Sequence, residues 1–312
     1  MAADKEDANK AAAGHGGNNV AQVVKKIEGH YPIWTRIVRV VWNFLVDLVL
    51  GTCELQRICS EVTKDTRGMM VKVRTNVALD RGLKDVQQDI FDFKPFDVTS
   101  TLLRVGEIKQ FAISKICESN LRSCFIRFRE VNEVYSQALA LKDEAYDSTN
   151  DQHEALLEQL WTNLKPDVRR SGGRYTKEWG EIGFQGQDPM TDFRSMGLLA
   201  LTQLVYYTEH YPVEARRALV HASHPTQWYP FAVTGINITS FVVDVVRERL
   251  VDSRLYDKDC NLDELHEFYC MVFSMFDALW VESNPTDLMA FPAVFGMLQE
   301  TIRLELAERT FA

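Results

Sequence analysis

Between Leu265 and Trp280 the large apolar residues are Leu265, Phe268, Tyr269, Val272, Phe273, Phe276, Leu279 and Trp280, recurring at spacings of three and four. That period gathers them on one face of an α-helix, whereas a strand would turn every second residue to the opposite face. The same spacing runs through Leu102, Leu103, Val105, Ile108, Phe111, Ile113 and Ile116, and through Phe295, Leu298, Ile302 and Leu306. No alternating stretch competes with it, so the chain is predicted to be all-α. Pro212, the loop His221-Ala222-Ser223-His224-Pro225 and a helix from Pro230 to about Leu250 continue the pattern, with Gly235 allowing close helix approach. The turn-forming cluster Asp147-Ser148-Thr149-Asn150-Asp151 is the clearest linker. It divides the chain into a tail over residues 1–30, a helical region over 31–147 and a second region over 148–312.

Residues 1 to about 18 are rich in Ala, Gly, Asn and Lys without apolar periodicity, and such a segment cannot offset the entropy of ordering it. From Ile33 to Leu50 the chain turns apolar except at Arg36, Arg39, Asn43 and Asp47, whose spacings define one narrow polar helical edge. A spanning helix is disfavoured, because each such charge costs about 2.5 to 3.5 kcal/mol at the centre of a bilayer. Packing against the rest of the fold is the expected role, and peripheral membrane contact through 33–50 is the alternative, favoured by Trp34, Trp42 and flanking basic residues.

A formal charge of −9, from 44 acidic against 35 basic residues, disfavours nucleic acid as the main ligand. No phosphate loop of the Gly-x-x-x-x-Gly-Lys-Ser/Thr type occurs, so nucleotide binding by the chain itself is not expected. The cysteines Cys53, Cys59, Cys117, Cys124, Cys260 and Cys270 include no Cys-x-x-Cys pair and follow no signal peptide, which reads as reduced thiols in a cytoplasmic protein. His221 with His224, and His266 with Cys270, are spaced like metal ligands but lack completing partners, so no metal and no cofactor is expected. Asn237-Ile238-Thr239 matches a glycosylation acceptor by chance inside a helical pattern.

The stretch from Trp179 to Gly197 is a glycine-punctuated loop that runs into the apolar series Leu198, Leu199, Leu201, Leu204, Val205 and Tyr206. Gly183 and Gly186 permit backbone conformations that other residues resist, and Asp188-Pro189 reads as an N-cap followed by proline at the first helical position. Arg194 falls beside a helix start, where it suits either an anion or a structural carboxylate or carbonyl partner. Asp192 is two positions away and shares no helical face with it, so it is expected to cap or brace the loop. Gln185 is expected to hold the turn through its amide or to orient a water. Phe184, Phe193, Trp161 and Trp179 read as anchors. Lys165, Arg169, Arg170, Arg174 and Lys177 form a basic run that suits either an acidic partner surface or plain solvation. His210 has no nucleophile beside it and reads as a solvated residue at a helix end.

The residues Trp179-x-x-Ile182-Gly183-Phe184-Gln185-Gly186-x-Asp188-Pro189-x-Thr191-Asp192-Phe193-Arg194, with Gly197 following, resemble the signature of the ELMO-domain (engulfment and cell motility) family. The resemblance extends to His153-Glu154, Trp161 and Pro166, to Tyr229-Pro230-Phe231-Ala232, to Phe268-Tyr269-Cys270 and to Gly51-Thr52-Cys53-Glu54-Leu55, covering roughly residues 30 to 300. In length the chain is similar to the small stand-alone members. The resemblance implies a GTPase-activating protein, not itself an enzyme, whose partner is a GTP-bound Arf or Arf-like small GTPase. It assigns the role of arginine finger to Arg194, with Gln185, Asp188, Thr191, Asp192, Lys165, Arg169, Arg170 and Arg174 as partner-binding or loop-positioning residues. The alternative is a non-catalytic scaffold for a GTPase or an exchange-factor assembly. The family usually has glycine after the arginine, where this chain has Ser195.

Overall fold

The computed structural model describes residues 22, 25, 26, 29, 32–110, 114–257 and 259–311; the sequence-based tail over 1–18, Phe111 and Ile113 lie outside them. Every regular element among the described residues is helical, as the periodicity requires. In chain order they are α1 (Ile33–Leu50), α2 (Glu54–Ser60), α3 (Thr66–Leu79), α4 (Lys84–Phe91), α5 (Val98–Lys109), α6 (Lys115–Asp143), α7 (Asp151–Leu164), α8 (Gly197–His210), α9 (Pro212–Ala222), α10 (Phe231–Arg247), α11 (Asp252–Asp257), α12 (Leu262–Ser283) and α13 (Phe291–Phe311).

The chain divides into two compact units, one of Met1–Ser136, Val246–Asn261 and Leu306–Ala312, the other of Gln137–Val245 and Leu262–Glu305. The change of unit falls inside α6, after Ser136. The cluster at 147–151 is a turn, in which Asp147 accepts from the Thr149 amide at 2.8 Å and Asn150 caps α7 through the Gln152 amide at 2.9 Å.

In the first unit α3 packs on α2 and α11. Its interior holds charges that periodicity does not reveal: Arg74 pairs with Asp252 at 3.0 Å, and the Tyr135 hydroxyl donates to the same carboxylate at 2.7 Å. Arg249, also buried, donates to the carbonyls of Ile90 and Asp92 at 3.2 and 3.3 Å. Buried charges persist when partnered in this way.

Two sequence-based expectations are overturned in this unit. Cys59 and Cys117 are joined by a disulfide rather than being free thiols, their Cα atoms 4.5 Å apart and their positions separated by 58 residues. The end of α2 and the start of α6 lie side by side, an adjacency also tied by the Asn120 amide, which donates to the Cys59 carbonyl at 2.8 Å. A bridge between such distant positions leaves no local motif. Helix α1 forms over the expected residues, but most of its described apolar side chains are exposed rather than packed; Trp34 is 67% exposed, Trp42 65% and Leu48 71%. No described helix is long and apolar enough to cross a membrane.

In the second unit α8 is surrounded by α7, α9 and α12. It is apolar on nearly every side and almost wholly buried, the pattern of a central helix. Gly235 of α10 permits the expected close approach: a Cβ there would lie 2.4 Å from Leu204 and 2.6 Å from the Tyr269 hydroxyl.

Candidate functional site

The segment between α7 and α8 is built from short caps and tight turns. The Thr176 hydroxyl caps the 3-10 turn Lys177–Ile182, which ends at Gly183 with φ 85°. A Cβ on Gly183 would lie 2.2 Å from the Phe231 amide nitrogen, so both the backbone conformation and the contact with the start of α10 select glycine. Gly186, at φ 70°, turns the exposed tip in open space. The two sides of this tip are tied by the Thr176 amide, which donates to the Gln187 carbonyl at 3.1 Å.

Asp188 and Pro189 then behave as their residue types demand, with one difference from expectation. They start the short 3-10 turn Pro189–Thr191, with Asp188 capping the Met190 amide at 3.0 Å, whereas α8 begins only at Gly197. Arg194 therefore stands in the turn that precedes α8. Gly197 has φ 52°, and a Cβ on it would lie 2.3 Å from the Lys142 carbonyl and 2.4 Å from that of Glu144, so the end of the loop is seated on the last turn of α6.

Aromatic packing fixes the loop from beneath. Trp161 meets Trp179 edge-on at 5.9 Å, Trp179 meets Phe184 at 6.1 Å, Phe184 meets Phe193 at 5.5 Å, and Phe193 stacks on Tyr146 at 5.4 Å. All of these rings are buried, which confirms the four expected anchors and adds Tyr146. Each such pair contributes about 0.5 to 1.5 kcal/mol beyond its burial. Burial, reinforced by the Glu154 carboxylate, pushes the Tyr146 phenol well up and keeps it a neutral donor.

The expected site residues divide sharply under this geometry. Asp192 braces the loop: its carboxylate accepts from the Gln185 amide at 2.8 Å, and burial pushes its pKa up against that hydrogen bond. Gln185 holds the turn through its backbone N–H, not its side-chain amide, and its side chain is exposed. The Thr191 hydroxyl donates to the Asp188 carbonyl at 2.9 Å, and its own carbonyl accepts from Arg194 Nε at 2.9 Å. Arg194 is exposed and, among the described residues, forms no ion pair. Ser195 is exposed and is not among the described residues with positive φ, so this position makes no demand for glycine.

The basic run is largely committed inside the unit. Arg174 bridges Glu154 at 2.8 Å and Asp188 at 2.9 Å and lies over the Tyr146 ring at 5.4 Å. Arg170 pairs with Glu158 and stacks on Trp179 at 4.0 Å, and Lys165 pairs with Glu181. Arg169 and Lys177 are exposed. Among the described residues no group of three or more ligand-type side chains gathers at either histidine pair; His221 contacts Asp277 at 2.9 Å, and His266 is buried, its pKa lowered by desolvation to about 4. The bridge through Arg174 escaped sequence reading, since its two carboxylates come from a helix and a loop; the one signal was Glu154, beside His153 in the upstream part of the resemblance. A groove of about 500 Å³ adjoins the tip, lined by Glu181, Phe184, Gln185, His224, Trp228 and Pro230.

Comparison with known proteins agrees with this geometry. The chain is 34% identical over 260 residues to ELMO domain-containing protein B of Dictyostelium discoideum, covering 81% of this chain and 90% of that protein. It is 32% identical over 270 residues to human ELMO domain-containing protein 2, covering 84% and 89%, and 30% identical over 294 residues to human ELMO domain-containing protein 1, covering 85% and 87%. No solved structure gives a significant match. Residues 136–295, which include the whole signature loop and its aromatic support, match the ELMO/CED-12 family, to which the chain belongs.

Proposed function

We propose that this protein is a GTPase-activating protein for GTP-bound Arf-family, especially Arf-like, small GTPases, supplying Arg194 in trans. The observation that carries this reading is the state of Arg194. Its Nε is held by the Thr191 carbonyl while the side chain is exposed and forms no ion pair among the described residues. The two terminal guanidinium nitrogens are then presented on a braced loop. Phosphoryl transfer is limited by positioning and by charge on the phosphate oxygens, which a planar guanidinium meets in bidentate fashion. A finger of this kind is worth about a thousand to a hundred thousand fold in turnover, or about 4 to 7 kcal/mol. Gln185, at the exposed tip of the same loop, contacts the GTPase, and the chain itself hydrolyses nothing.

The test is single-turnover GTP hydrolysis by a panel of purified Arf and Arf-like GTPases at saturating activator. Arg194→Lys should abolish stimulation while binding and melting temperature stay close to those of the parent protein, because lysine cannot reproduce the fork and the side chain is exposed. Turnover by Arg194→Lys equal to that of the parent would remove the finger and leave the non-catalytic scaffold as the reading.

A further inference from the structure

Helix α1 has its amphipathicity turned outward. A period of 3.6 residues places positions 36, 39, 43 and 47 on one edge and leaves about half the circumference apolar. Of that edge Asp47, at its C-terminal end, is tied to the fold: it accepts from Arg57 at 2.5 Å, and Arg57 also donates to the Thr52 carbonyl at 2.6 Å. On the apolar arc Ile37, Val41, Leu45 and Leu48 are exposed, with Trp34 and Trp42 exposed beside them. A helix that packs on its own domain would present the opposite face. The ends are sharply set, by Pro32 before the first turn and by Gly51 in the left-handed conformation after the last.

We propose that α1 lies in the interfacial layer of a lipid bilayer, its axis parallel to the surface. Three features favour lipid over a partner protein. The exposed apolar arc is far wider than the narrow seam that one partner helix covers. Tryptophan is the side chain enriched at the boundary of hydrocarbon and headgroup, and two lie on this arc. The helix carries Arg36 and Arg39 against Asp47, whose charge Arg57 neutralises, so it is cationic within a chain of net charge −9 and complements an anionic headgroup layer. Insertion across the bilayer is excluded by the same charges, since no described helix is apolar enough to span. This seat is independent of Arg194 and of any GTPase.

The full chain should float with vesicles of phosphatidylcholine and phosphatidylserine in a density gradient. The double variant Val41→Glu/Leu48→Glu, altered only at exposed positions, should lose roughly tenfold or more of the vesicle-bound fraction at unchanged helicity. Trp34→Ala serves as a milder variant and should lose several fold. The proposal is overturned if the parent protein stays with the soluble fraction, or if both variants float as it does. It is equally overturned if the parent is a dimer that the double variant converts to a non-floating monomer, which would make α1 a protein interface.

Discussion

Arg174 and Asp188 meet at 2.9 Å, and through this contact the base of the signature loop is joined to helix α7, since the same guanidinium holds Glu154 at 2.8 Å. Asp188 starts the turn whose last residue, Thr191, accepts from Arg194 Nε. The exposed arginine is thus held by a chain of contacts that begins in a helix well upstream in sequence. Arg174 touches no candidate ligand-facing atom; it acts through Asp188.

Arg174→Lys is expected to keep the charge but lose one of the two carboxylates, because an ammonium is a point charge and cannot span both. Stability should fall by about 1 to 2 kcal/mol, as for a partly exposed pair with charged hydrogen bonds. Stimulated GTP hydrolysis should fall while GTPase binding holds. Urea melts beside single-turnover assays check this, and unchanged turnover would detach Arg174 from the positioning of Arg194.

The two positive-φ glycines of the loop should respond differently to alanine. Gly186→Ala, in open space, should cost about 1 kcal/mol, the price of a left-handed conformation. Gly183→Ala adds a Cβ 2.2 Å from the Phe231 nitrogen and should cost about 3 kcal/mol or more. Denaturation midpoints of the two variants measure the difference directly. Equal costs would mean that the start of α10 yields freely.

Asp192 should give a pH signature. Burial raises its folded pKa, so the folded state holds the proton more tightly than the unfolded chain does. The contribution of this group to stability is therefore greatest below the ordinary carboxylate value and declines as pH rises through the raised folded one. Asp192→Asn retains an oxygen acceptor for the Gln185 amide and removes this dependence. Its stability relative to the parent should rise across that window in urea melts at stepped pH; a flat difference would contradict the assignment.

Reduction of Cys59–Cys117 should destabilise the protein. Closing a loop of 58 residues restricts the unfolded chain by about 4 kcal/mol in the entropic treatment. The melting temperature should drop on adding a thiol reductant, and Cys59→Ser/Cys117→Ser should melt at the lower value with or without it. A parent protein indifferent to reductant would show that the bridge contributes nothing.

The sequence by itself determined what depends on neighbours within about one helical turn. The three-and-four spacing from Leu265 to Trp280 fixed the period of α12, and Asp188-Pro189 could only cap and start a turn. Gly183 and Gly186 declared the left-handed positions, and Asp192 lay off any helical face it could share with Arg194, which left it to brace the loop. The tertiary structure alone decided which charges meet. Arg174 reads as one more member of a basic run until Glu154 and Asp188 are brought to it, and Arg74 and Asp252 are distant polar residues until they pair in a core. Cys59 and Cys117 carry no local spacing signal for the same reason. The period of α1 was legible, but its outward direction was not: an amphipathic pattern specifies that one face differs from the other, and only the tertiary structure, through the contact of Asp47 with Arg57 and the exposure of the apolar side chains, decides which face turns outward.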